Sequence, residues 1–194
     1  MEEFIGNYLN RLNTKNYNQI ELTFGNKLFE NTFDVKISKD LFSKLKKYFI
    51  QIDDSTVQQL ENKIYYVSNK ELHINNSYQQ RVYKTHLYDY LFVDKNPTMP
   101  FDMKITFSER KMISIENFPT CMNYESILFK KITSVNVKNK FYVNFNEIIN
   151  EKNETTLYSL TILIKRKTSL LSTLQMMLNQ ICSIIKLVHW VWYY

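Results

Sequence analysis

The chain has 194 residues, enough for one ordinary domain with a sizeable core and too few for two, so a single domain over 1–194 is expected. Hydrophobic residues at 44% and aromatics at 15% exclude wholesale disorder, and two glycines with three prolines exclude a repeat solenoid, a collagen-like run or a low-complexity linker. A formal charge of +6 with a pI near 9.1 favours an anionic partner, nucleic acid among them. Cys121 and Cys182 are too few for a disulfide framework and have no metal-ligand spacing, which suits a reducing, intracellular compartment. Met1-Glu2-Glu3-Phe4 has no basic region leading into an apolar core, and no apolar run approaches transmembrane length, so a membrane is not an expected partner.

In chain order, Phe4, Ile5, Tyr8, Leu9 and Leu12 have helical spacing and predict a short amphipathic helix from Phe4 to Leu12. Gln19-Ile20-Glu21-Leu22-Thr23-Phe24-Gly25 alternates with period two, placing Gln19, Glu21 and Thr23 on one face of a strand and Ile20, Leu22 and Phe24 on the other. A carboxylate between an amide and a hydroxyl suits a site better than plain solvated surface. Ser38 is placed to cap a helix whose apolar face is Leu41, Phe42, Leu45, Tyr48 and Phe49.

From Lys63 onwards the chain breaks into short runs rich in Val, Ile, Tyr, Phe and Thr: Lys63 to Ser68, Glu71 to Ile74, Gln80 to Lys84, Leu87 to Val93, Met103 to Ser108, Ile127 to Val137, Phe141 to Ile148 and Leu157 to Lys167. Closely spaced strands with turn-like breaks predict an antiparallel sheet or barrel. Leu170, Leu171, Leu174, Met177, Leu178, Ile181, Ile184, Ile185 and Val188 then trace one broad helical face, expected to pack on that sheet. The apolar terminus, Val188-His189-Trp190-Val191-Trp192-Tyr193-Tyr194, either docks on its own barrel or meets another chain.

Several of these segments, in this order, resemble the triphosphate tunnel metalloenzyme family, in particular the RNA 5'-triphosphatase domains of mRNA capping enzymes from large DNA viruses and fungi. The family's Glu-x-Glu-x-Lys/Arg-x-Gly strand corresponds to Gln19 to Gly25, and its Asp-x-Arg-x-Ser-x-Ser strand to Asp102-Met103-Lys104-Ile105-Thr106-Phe107-Ser108, followed by Glu109. Its basic strand corresponds to Phe129-Lys130-Lys131-Ile132-Thr133, with Lys131 keeping its charge in the preferred register. Its Ile-Asp-Leu-Thr element corresponds to Val143-Asn144-Phe145-Asn146, and its Tyr-Glu-x-Glu-x-Glu strand to Tyr158-Ser159-Leu160-Thr161-Ile162-Leu163.

The resemblance implies an α+β fold: a closed or nearly closed eight-stranded antiparallel β-barrel, a tunnel, flanked by N-terminal and C-terminal helices. It also implies a lumen in which glutamates hold Mg²⁺ or Mn²⁺ and Lys/Arg side chains grip a triphosphate. Hard cations need several oxygen ligands, and paired strands supply them at i and i+2. The metal then polarises the terminal phosphoryl group while fixed cations stabilise its charge.

Carried over residue by residue, the metal face retains Glu21 and the neutral Gln19. Thr23, Asn144, Ser159, Thr161 and Leu163 stand where charged residues are expected. The triphosphate grip retains Lys104 and Lys131, with Lys165 and Arg81 as further candidates. The expectation is therefore a degraded viral capping-triphosphatase-like domain in the host cytoplasm or virion, acting as a structural or RNA-binding subunit, with no cofactor. Its partners would be RNA or a triphosphate, another capping or transcription subunit, or a second copy docking through the aromatic C-terminus.

The alternatives are an active metal-dependent triphosphatase, with Mg²⁺ or Mn²⁺ on Glu21 and on Glu109 or Glu147, and a protein-interaction module of a capping or transcription complex. Glu147, Glu151 and Glu154 otherwise read as a solvated turn. His73, His86 and His189 are scattered and read as ordinary surface or core histidines. Tyr83 to Tyr88 mixes aromatic and basic residues and reads as sheet packing rather than an RNA clamp.

Overall fold

The structure is a computed structural model describing residues 19–29, 32–67, 70–75, 80–93, 101–112, 126–150, 154–165 and 183. The helix expected over Phe4 to Leu12, the aromatic terminus and all of the expected C-terminal helix except Ser183 lie outside the described residues. Within them are strands β1 (Gln19–Phe29), β2 (Thr32–Asp34), β3 (Ser55–Val67), β4 (Lys70–Asn75), β5 (Gln80–Val93), β6 (Asp102–Met112), β7 (Ser126–Val137), β8 (Phe141–Ile149) and β9 (Thr155–Lys165), and one helix of several turns, α1 (Lys39–Ile50).

The sheet order is β2-β1-β6-β5-β4-β3-β7-β8-β9, with a further pairing of β9 to β1. Every pairing is antiparallel. Gln19 to Thr23 pair with Ser108 to Lys104 of β6 on one side and with Lys165 to Thr161 of β9 on the other. Eight strands thus form a tunnel-like antiparallel sheet, with β2 appended where β1 runs on past β6. Gly25 is required there, because a Cβ would collide with the Asp34 carbonyl oxygen across the β1–β2 hairpin.

Period-two alternation sorts the side chains. On the outer face, Ile20, Leu22 and Phe24 of β1 line up with Met103, Ile105 and Phe107 of β6 and with Ile162 and Ile164 of β9. These join Val143, Phe145 and Leu160 in one buried cluster with Leu41, Phe42, Leu45 and Phe49 of α1. The Ser38 hydroxyl accepts from the Leu41 N–H at 3.2 Å, satisfying one of the helix's orphan donors. An edge-on ring contact of Phe42 and a tilted one of Phe49 with Phe145, at 5.6 and 6.0 Å between centroids, seat α1 on β8.

Two expected boundaries change. β3 begins at Ser55 rather than Lys63, and Gln80 to Val93 form one strand with a register irregularity between His86 and Tyr90 rather than two. Glu147 lies within β8, in an ion pair with Lys46 at 3.4 Å, rather than in a solvated turn.

Candidate functional site

The face of β1 opposite the core carries Gln19, Glu21 and Thr23. Their neighbours on β6 are Ser108, Thr106 and Lys104, and on β9 Lys165, Leu163 and Thr161. β9 passes the same phase to β8, where Thr161 stands opposite Asn144 and Ser159 opposite Asn146. β7 continues it through Ser134, Ile132 and Lys130, and β3 through Gln58, Leu60, Asn62 and Tyr66.

This face lines the interior. The Tyr66 phenol is pushed above its ordinary range first by burial, then by the carboxylates of Glu71 and of Glu21. Glu21 is on β1, separated from β3 by three strands along the sheet, so its charge acts on Tyr66 through the interior rather than along the wall.

Between Ser159 and Thr161 the wall made by β8 and β9 is polar and carries no charged side chain. Asn146 donates from Nδ2 to Thr161 Oγ1 at 3.1 Å and to Ser159 Oγ at 3.4 Å, and all three residues are buried. Ser108 Oγ and the Oδ1 atoms of Asn136 and Asn144, in the same inner phase, are buried with no hydrogen-bond partner among the described residues. The opposite wall is ionisable: Glu71 Oε2 lies 2.7 Å from His73 Nε2, and Glu71 faces Tyr66 across the β3–β4 pair.

The structure brings Gln19, Glu21, Thr23, Lys104, Asn144, Ser159, Thr161 and Leu163 into one inner register. Lys165 takes the same register by its pairing with Gln19. Lys131 does not share it. It pairs with Glu61 and Glu147 on the outer face, and its neighbour Lys130, opposite Asn62, takes the inner position. A one-residue difference of register changes the face of every side chain. Arg81 pairs with Ile74, out of phase with Glu71 and His73.

Glu109 and Glu147, the alternative metal ligands, also fall in the outer phase. Glu109 pairs with Lys111 at 3.0 Å, and Glu147 with Lys46. The inner carboxylate that sequence reasoning passed over is Glu71, together with His73 and Tyr66. The available signal was the Glu-x-His spacing within a strand, which puts both side chains on one face.

This donor set does not fit the Mg²⁺ or Mn²⁺ that the resemblance implies. Glu21 has Leu163 and Thr106 as its cross-strand neighbours, and neutral oxygens do not offset the cost of stripping water from a hard cation. Among the described residues no three His, Cys, Asp or Glu side chains are grouped to hold a metal ion. Nor is any helix among them long and apolar enough to cross a membrane.

The architecture is similar in fold to solved RNA triphosphatase domains. Among solved structures, S. pombe Pct1 RNA triphosphatase, determined in complex with the Spt5 CTD, matches with a TM-score of 0.69 at 13% identity, covering 96% of this chain and 92% of that one. The Mimivirus capping enzyme triphosphatase matches with a TM-score of 0.65 at 11% identity, covering 96% and 98%. The PH1819 protein from Pyrococcus horikoshii matches with a TM-score of 0.51 at 9% identity, covering 88% and 89%. At these identities the likeness is one of fold. No protein-family model and no curated protein matches the sequence.

Proposed function

We propose that this chain is an RNA 5'-triphosphatase-like tunnel domain of a viral mRNA capping apparatus that has lost metal-assisted hydrolysis and serves as a structural or RNA-binding subunit. The observation that carries this reading is the strand beside Glu21: β9 presents Leu163 and Thr161 where a metal site needs further carboxylates. The likeness to Pct1 and to the Mimivirus domain supports the capping context, and the Pct1 complex supports a partner-binding role for such a domain. In this reading the strand circuit is the wall of a closed tunnel. Lys104 and Lys130 supply the charge that holds a polyphosphate end, while buried hydroxyl and amide groups such as Ser108 and Asn144 complete its hydrogen bonds. The test is phosphate release from triphosphate-ended RNA with Mg²⁺ or Mn²⁺, alongside binding of the same RNA. The expected outcome is binding without release, weakened about tenfold (about 1.4 kcal/mol) by Lys104→Ala.

A second reading keeps hydrolysis and rests on Glu71, the other inner carboxylate acting on Tyr66. It takes over if phosphate is released and both Glu21→Ala and Glu71→Ala abolish the release.

A further inference from the structure

The outer side of α1 carries a feature that the tunnel does not use. Between the helix and the β8–β9 pair lies a groove of about 480 Å³, lined among others by Lys39, Phe42, Lys46, Lys47, Ile50 and Tyr158. This volume is within the range of ordinary ligand sites. Spacings of seven, eight and eleven residues bring Lys39, Lys46, Lys47 and Ile50 onto one side of the helix. The groove is basic: three lysines line it against one carboxylate, Glu147, and that carboxylate is engaged by Lys46 at 3.4 Å. Asp40, the acid in the first turn of α1, pairs with Lys44 at 2.6 Å. Apolar surface lies beside these charges, since Ile50 is 40% exposed and the half-buried Tyr158 ring lies beneath.

We infer that this groove docks a short acidic peptide segment of a partner protein through one large apolar anchor side chain, with Lys39 and Lys47 reading the flanking carboxylates. Charge complementarity selects an anionic ligand. The burial of Phe42 favours peptide over single-stranded RNA. Phe42 is 3% exposed and packs against Tyr158 at 4.9 Å, so it offers no open plane for a base to stack on. Clusters of fixed cations recognise acidic motifs, and here Ile50 and the Tyr158 ring add an apolar contact beside them. The groove lies on the core-facing side of β8 and β9, behind the wall that carries Asn146 and Thr161, so docking there leaves the interior accessible.

The test is fluorescence anisotropy on the full chain with a fluorescein-labelled peptide of Asp and Glu around a single Trp. Comparison probes are the same peptide with Trp→Ala, a Gln/Asn version, and a short labelled oligouridylate. The acidic Trp peptide is expected to bind, more weakly as salt rises. Each altered peptide, and the Lys39→Glu/Lys47→Glu variant, should bind at least about tenfold more weakly. Both lysines are exposed, so charge reversal leaves the core intact; Ser43→Trp, which fills the groove without altering its charge, should block binding equally. The inference is overturned by an absence of peptide binding, by affinity indifferent to these variants, by equal binding of the Gln/Asn peptide, or by oligouridylate as the only probe that the lysine variant loses. Each outcome is read without reference to phosphate release, so the docking inference and the tunnel reading fail separately.

Discussion

The two faces of β8 and β9 each bury residues at their centre, by opposite means. Outward, Phe145 and Leu160 are buried by apolar contact with α1 and the adjoining strands; inward, Asn146, Ser159 and Thr161 are buried almost as completely and satisfy one another by hydrogen bonds. Apolar packing tolerates some repacking, whereas a buried hydrogen-bond set fails as a unit when one member leaves. The outer face therefore holds the fold, while the inner face fixes the chemistry the interior can support. That inner chemistry is itself divided between the uncharged Asn146, Ser159 and Thr161 of β8 and β9 and the ionisable wall of Tyr66, Glu71 and His73.

The largest effect should come from the outer face. Phe145→Ala removes a fully buried ring that contacts both Phe42 and Phe49, and should lower unfolding free energy by about 3–5 kcal/mol in chemical denaturation. A loss below about 1 kcal/mol would show that α1 is not seated as described. Next, Asn146→Ala should cost about 1–3 kcal/mol, because Ser159 and Thr161 lose their donor in a dry wall; stability equal to the parent would mean that water reaches them.

Leu163→Glu tests the metal reading from the other direction. A second carboxylate directly opposite Glu21 should destabilise by up to about 1 kcal/mol, through like-charge repulsion. Added Mn²⁺ should restore the melting temperature of this variant and leave that of the parent unmoved. Equal shifts in both would show that a site already exists.

Tyr66 supplies a pH prediction. Its folded pKa lies above the ordinary phenol value of 10.0, so the folded state holds that proton more tightly than the unfolded chain does. The resulting stability is fully present below pH 10 and declines as pH rises from there towards the folded value. Tyr66→Phe should flatten this alkaline decline relative to the parent, and superimposable pH–stability curves would remove the phenol from the interior. The smallest effect belongs to Lys46→Ala, which opens a half-exposed pair with Glu147 and should change stability by about 0–1 kcal/mol.

Much of this was legible where a strand is apolar on one face and polar on the other. β1, β6, β8 and β9 each follow that pattern, and Ser38 marks the start of α1 unambiguously. The first half of β3 was not legible, because Thr56, Val57, Gln58 and Gln59 are all exposed and no alternation marks either face. β5 read as two strands because the register irregularity after His86 breaks its phase. Lys130 and Lys131 are hard to tell apart for a simpler reason: adjacent lysines carry the same chemistry, and only the pairing with Asn62 or Glu61 says which one takes the inner register. Glu71 and His73 lie within a correctly placed strand, but neither advertises a site until the pairing of β3 with β4 sets Tyr66 opposite Glu71.

The pairing of β1 with β9 bears on how the protein is made. It joins Gln19–Thr23 to Thr161–Lys165, segments from nearly opposite ends of the described chain. Contacts of such long sequence separation form late and slowly. During synthesis β1 must wait, with Ile20 and Leu22 short of their β9 partners, until β9 has left the ribosome. Productive folding of this chain is thus governed by how well its first strand is shielded in the interval, which makes yield at low temperature or with a holding chaperone a property of the topology itself.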